Sequence, residues 1–262
     1  MDVVVLVKQV PDTESLIQIA DDGVSIKTDD IKWVMNPYDE FAVEEALQIR
    51  ETHEGTVTIL SMGREKAMET IRTALAMGAD KGVLINDPIA EGSDALTTAK
   101  ILAAAMKEIP YDLIIAGQRA VDGDNYQVGS AVAEYLGIPQ ISLVIKEEIS
   151  DGKIKCHRVV EGGTVVVEAS LPALFTTQRG LNEPRYASLP GIMKAKKKPL
   201  DTKTIADLGV DPGGVGLASS KIKIKALNLP PERETVRMFE GESSHDKAAA
   251  LVKTLHEEAK VI

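Results

Sequence analysis

The chain has 262 residues, enough for one large domain or one domain with an appendage. Thirty Lys and Arg stand against 40 Asp and Glu, a net charge of −10, which disfavours a sequence-independent nucleic-acid binder that needs a broad basic surface. Hydrophobic residues make up 44% and aromatics only 3%, so the core must be aliphatic and a stacking-based reader of RNA or single strands is disfavoured too.

In chain order, Val3 to Val7 is a β-branched apolar run that reads as a buried strand. MDVVVLVKQV has an acid at position 2 and no basic stretch, so it does not read as a signal peptide. No run approaches the ~18–20 apolar residues of a membrane span. Pro37 suits a helix start, and Tyr38 to Arg50 then places Phe41, Ala42, Ala46 and Leu47 on one face. Thr56 to Ser61 is a second strand. Glu65 to Met77 is a helix with Gly78 as its C-terminal cap, and Gly82 to Ile85 is a third strand. Ser93-Asp94 caps a helix over 95–107, Asp112 to Ala116 is a fourth strand, and Gln127 to Leu136 is the next helix.

Short apolar strands alternating with helices predict a Rossmann-like α/β fold, a mostly parallel sheet flanked by helices. Ligands of such sheets bind beyond the carboxyl ends of the strands, where strand order switches. The loops to watch are therefore Lys8–Thr13, Met62–Arg64, Asn86–Gly92 and Gly117–Gln127. The second half adds strands over 142–149, 153–160, 163–170 and 173–177, some antiparallel, joined by Asp151-Gly152 and Gly162-Gly163 turns. Leu181 to Pro199 breaks every periodicity. Thr204 to Gly209 is expected as a short helix, and Asp211 to Gly214 as a linker. An extended arm then ends in a helix over 244–261, with Ala248, Leu251, Val252 and Leu255 on one face. Such an arm either wraps a partner or packs on its own domain. Cys156 is the lone cysteine, so no internal disulfide forms, and it reads as an ordinary strand thiol.

One loop carries chemistry by its pattern. Gly117-Gln118-Arg119-Ala120-Val121-Asp122-Gly123-Asp124-Asn125-Tyr126-Gln127-Val128 follows a strand and opens a helix. Its small residues let backbone N–H groups approach a ligand, and the helix start favours an anion. It reads as a nucleotide site or as a solvated turn. Asp122 and Asp124 suit ribose hydroxyls, and they lack the further spaced acids of a calcium loop. Asn36-Pro37-Tyr38-Asp39 lies at another junction able to approach the same ligand. No G-x-G-x-x-G, Walker lysine, G-x-S-x-G elbow or metal-spaced histidines occur, so the chain is expected to be a binder or carrier rather than an enzyme. The two-proline segment Leu181 to Met193 reads as a recognition loop if exposed and as a mere connection if buried.

Four segments, VKQVPD, MNPYDEFAVEEAL, TIRTALAMGAD and LNEPRYASLPGIMKAKKKP, resemble the beta (small) subunit of electron-transfer flavoproteins along almost the full chain. The loop GQRAVDGDNYQVG is similar to that family's nucleotide-binding loop. The resemblance implies a heterodimer with an alpha subunit and FAD held mainly by alpha near the interface. It implies electrons received from dehydrogenases, often of the acyl-CoA type as in fatty acid oxidation, and passed to a membrane quinone oxidoreductase. It implies AMP in this subunit, against Leu6, Asn36, Pro37, Tyr38, Asp39, Met62 and the loop from Gly117 to Val128. Pro184, Arg185, Tyr186 and Leu189 resemble the family's partner-docking loop, with Leu189 as anchor. Lys194 and Lys197 align with lysines methylated in some members. Residues 1–200 would form the nucleotide-binding domain and 201–262 an arm wrapping alpha, in a bacterial-type cytosol or a mitochondrial matrix. Members that bifurcate electrons hold a second FAD behind D-G-D-T-A-Q-V-G-P. Here Asn125-Tyr126 and Ser130 depart from that pattern, and a tyrosine fills space a flavin needs, so AMP is expected. The alternatives are such a bifurcating protein, or a stand-alone adenine-nucleotide-binding stress-type protein.

Overall fold

Strand β1 (Val3–Leu6) alternates its side chains between two cores: Val3 and Val5 join one, Val4 and Leu6 the other. That period of two, with both faces buried, makes β1 an interior strand. The computed structural model describes residues 1–232 and 235–262. Strands β2 (Gln9–Pro11) and β3 (Trp33–Met35) form a small antiparallel pair beside it. Then α1 (Pro37–His53), β4 (Val57–Met62), α2 (Ala67–Met77), β5 (Lys81–Ile85), α3 (Ala95–Met106), β6 (Leu113–Gly117) and α4 (Val128–Leu136) alternate as expected. Next come β7 (Gln140–Ser150), β8 (Lys153–Val160), β9 (Gly163–Ser170), β10 (Ala173–Thr177), α5 (Leu189–Ala195), β11 (Leu200–Lys203), α6 (Gly216–Ser219) and α7 (Ser244–Thr254).

The main sheet runs β11-β5-β4-β1-β6-β10-β7-β8-β9. Every pairing from β11 to β7 is parallel, and β7-β8-β9 is antiparallel. Helices α1 and α2 cover one face through Leu47, Ile71 and Leu75; α3 and α4 cover the other through Leu102, Met106 and Val132. The expected α/β architecture is therefore the observed one. Chain order reverses at β1, whose neighbours β4 and β6 lie on opposite sides, which puts the switch point at the carboxyl ends of β1, β4 and β6. Among the described residues no helix is long and apolar enough to cross a membrane.

Three local expectations change. Thr204 to Gly209 is a closed turn, not a helix. Asp207 accepts from the Thr204 backbone N–H and hydroxyl, and Gly209 ends the turn at φ 62°, so side-chain bonds replace the helical ladder. The aperiodic stretch 181–199 contains helix α5, started by the Ser188 side chain accepting from Gly191 N–H. Strand β11 begins at Leu200, and Ile205, Val210 and Val215 still belong to the core beyond it. The last helix keeps its α form only to Thr254 and continues as a wider π turn over 255–259.

Candidate functional site

A cavity of about 280 Å³ opens at the switch point. Leu6, Asn36, Asp39 and Met62 line it, with Gly117, Gln118, Arg119, Ala120, Gly123, Asp124, Asn125, Tyr126, Gln127 and Val128 from the loop between β6 and α4. Pro37, Tyr38, Val121 and Asp122 stand outside the lining and act on the wall instead. Lys8, from the first loop to watch, also faces the cavity, and sequence reasoning missed Val7, Leu60, Ser93, Ala95, Thr98, Leu102, Ala116 and Gly129. The pattern of the loop after β5 ends at Gly92, whereas the cavity uses the next residues and the first turns of α3. The Asp94 capping signal was the pointer.

Asp39 holds the wall together. Its carboxylate is buried, and it accepts from Lys8 N–H (2.7 Å), Asn36 Nδ2 (2.8 Å) and Gly117 N–H (3.2 Å). It thereby joins the ends of β1 and β6 to the start of α1. A Cβ on residue 117 would collide with the Asp39 carboxylate, so only glycine fits there. Burial pushes the Asp39 carboxyl up to about 7, against the downward pull of its donors. Asn36 extends the network. Its Nδ2 also donates to Arg119 O at 2.8 Å, and its Oδ1 accepts from Val121 N–H at 3.1 Å.

The loop's charges pair among themselves. Lys8 Nζ meets Asp122 at 2.7 Å, and Arg119 Nε lies 3.1 Å from Asp124 Oδ1. The Arg119 guanidinium lies between the Tyr38 and Tyr126 rings, 5.1 Å from each centroid, and bonds to both hydroxyls. Asp124 and Tyr126 take left-handed φ values of 50° and 57°, which cost something like 1–2 kcal/mol each outside glycine. The cation stack offsets that strain by fixing Tyr126, half-exposed at the rim. Helix α4 begins here with no side-chain cap at Gln127, so its first N–H groups and positive dipole end face the cavity. That arrangement fits a phosphate, whose oxygens would satisfy them. Helix α3, by contrast, is already capped by Asp94.

The segment after β10 is fastened at several points. Asn182 Nδ2 donates to Glu45 (2.6 Å) and to Phe41 O (3.0 Å). Arg185 grips Glu44 (2.7 and 2.9 Å) and Glu51 (2.6 Å) on α1. Burial pushes Glu44 up, yet the Arg185 guanidinium outweighs it and holds the carboxyl below the usual range. Arg72 of α2 bonds the Ala195 and Lys198 carbonyls, while Lys198 Nζ bonds Leu75, Gly78 and Ala79 carbonyls at the end of α2. The end of α5 is thus closed by a cation of α2, and the end of α2 by a cation just past α5. Pro184 is half-buried. Tyr186 is 98% exposed and Leu189 79% exposed, standing clear of this base. Lys194 and Lys197 are exposed, and only Lys198 of the basic run turns inward. Cys156 is buried, its thiol pushed up to about 12 by burial with help from Glu147 and Glu45, and is inert rather than ordinary.

Fold and site define a doubly wound α/β domain with one polar-lipped cavity at its switch point and a rigidly based, outward-facing helix. The family model for the electron transfer flavoprotein domain matches residues 24–208. The chain is 44% identical to the electron transfer flavoprotein subunit beta of Bacillus subtilis (strain 168), over the whole of both chains. It is 46% identical to the subunit of that name from Bradyrhizobium diazoefficiens, covering 80% of this chain and 84% of that one. With that from Clostridium acetobutylicum it shares 40% identity over 86% of each. The chain belongs to the electron transfer flavoprotein family, as a beta subunit.

Proposed function

We propose that this chain is the small subunit of a heterodimeric electron carrier. It takes electrons from dehydrogenases of the acyl-CoA type and delivers them towards a membrane quinone oxidoreductase, working in the cytosol. FAD, held mainly by the alpha subunit, supplies the redox chemistry, and this subunit binds AMP. The observation that carries the AMP reading is the cavity itself. It has the room and the uncapped α4 start for one phosphate and one nucleoside, and the Arg119-braced Tyr126 stands at its rim. A nucleotide bound only by the folded state stabilises it. The arm supports an alpha partner. Helix α7 buries no residue, and Ile222, Ile224, Leu229, Val236 and Met238 are each more than half exposed, an apolar series that its own chain leaves uncovered.

Denaturing the purified heterodimer and counting what is released tests this. One FAD and one AMP per heterodimer are expected. Two FAD without AMP would establish the bifurcating alternative, and a homo-oligomer lacking alpha would establish a stand-alone nucleotide binder.

Leu189 tests the docking role. It buries almost nothing on its own chain, so Leu189→Ala is expected to leave FAD content and melting temperature unchanged. A lost anchor raises the apparent KM for the electron-donating dehydrogenase roughly tenfold or more. Steady-state reduction by the dehydrogenase measures it, and an unchanged KM removes Leu189 from that role.

A further inference from the structure

The rim of the cavity and the root of the C-terminal arm are built as one piece. Ser93, which faces the cavity, accepts from Gly216 N–H at 2.9 Å through its hydroxyl. Glu91 O accepts from Leu217 N–H at 3.0 Å. Asp94 then divides its carboxylate. Oδ1 accepts from Thr97 N–H at 2.8 Å, capping the α3 turn that lines the cavity, while Oδ2 accepts from Lys221 N–H at 2.9 Å. The backbone at Gly216 (φ 73°) passes so close to Ile89 O that a Cβ would collide, so this approach is tight and specific. Beyond Lys221 the arm touches the body again at Gly23 O, through Leu227 N–H at 2.8 Å. Lys221 is therefore a fixing point at the root of the arm, and the residue that holds it, Asp94, caps a wall of the cavity.

We propose that Asp94 is a positioning residue that couples the nucleotide cavity to the course of the arm, so that a bound nucleotide and a docked arm root strengthen each other. Asp94 itself does not line the cavity. It acts through the first turn of α3: a ligand against Ser93, Ala95 and Thr98 holds that turn, the turn holds the carboxylate, and the carboxylate holds Lys221. Both of its oxygens are engaged by backbone N–H groups, which also keep the carboxyl below its usual range and charged. Coupling of this kind is reciprocal: whatever loosens the arm root must weaken the nucleotide by the same factor.

This inference rests on the nucleotide reading of the cavity, and the experiment separates the two. AMP is titrated into the full chain by calorimetry, and amide hydrogen exchange is followed with and without it. In the native chain AMP is expected to slow exchange at Leu217 and Lys221 about tenfold. Asp94→Ser keeps a good N-cap but offers no second oxygen for Lys221. It is expected to fold, to bind AMP about fivefold more weakly, and to lose the slowing at Leu217. Lys221→Pro removes the donor together with the lysine charge, after a Ser220 backbone (ψ 130°) that a following proline accepts, and is expected to weaken AMP similarly from outside the cavity, whereas Lys221→Ala, which keeps the N–H, is expected to bind AMP nearly as the native chain does. Native chain that binds AMP with no change at Leu217 and Lys221 overturns the coupling while sparing the nucleotide reading. No AMP binding at all overturns both.

Discussion

Asp39→Ala is expected to lower folding stability by about 3–5 kcal/mol and to abolish nucleotide retention. The size follows from what the carboxylate serves. Lys8 N–H, Gly117 N–H and Asn36 Nδ2 all converge on it at a buried position, and alanine leaves each without that acceptor. Asn36 also positions Arg119 and Val121, so the loss spreads to the loop that bears Tyr126. Asp39→Asn keeps the shape and one oxygen, but its NH2 group opposes a donor. It is expected to cost about half as much and to keep weak nucleotide binding. Urea denaturation and nucleotide content of the purified proteins measure both. An alanine variant of native stability would show that water or neighbours replace the carboxylate, and the hub assignment would fall.

The two faces of this molecule differ in how far the sequence discloses them, and the difference is physical. Val3 to Leu6 and Leu113 to Ala116 announce interior parallel strands because both their faces are apolar, a property local to each run. The loops that follow them are then marked by topology alone, which is why most of the cavity is legible beforehand. Helix α5 is not, since Pro190 and Gly191 sit inside it; its stability comes from the Ser188 cap and Arg72, which is far off in sequence. Strand β11, Leu-Asp-Thr-Lys, lies at the sheet edge with an intermediate-exposed-exposed-intermediate burial pattern, so it shows no apolar row. Arg185 enters the docking segment by resemblance alone, and its inward ion pairs are not legible in the sequence. Its partners Glu44 and Glu51 lie more than 130 residues away, and only the folded α1 presents them. Inward-facing cations of this kind, Lys198 among them, are the main part of the site that spacing does not reveal.

The acid beneath the docking segment gives the chain a pH-dependent stability. Glu45 is buried, and burial pushes its carboxyl up to about 7; the Glu147 and Glu44 carboxylates push the same way, and Asn182 pulls back. The native state therefore keeps a proton that the unfolded chain has already released above pH ~4.5. Stability from this group is complete below that value, falls as pH rises to about 7, and is flat beyond. Glutamine imitates the protonated acid and cannot lose the proton. Glu45→Gln is thus expected to match the native chain near pH 4 apart from a constant offset, and to gain about 2–3 kcal/mol relative to it by pH 8. Asp39 titrates in both proteins, so its share cancels in the difference. The amide introduced by Glu45→Gln still offers an oxygen to Asn182, so the base of the docking segment is preserved, and electron transfer from the dehydrogenase is expected to be unchanged at pH 7. Urea denaturation of both chains between pH 4 and 8 decides it. A difference that stays constant across that range means Glu45 ionises as an ordinary surface acid, and the carboxyl under Asn182 is then hydrated rather than buried.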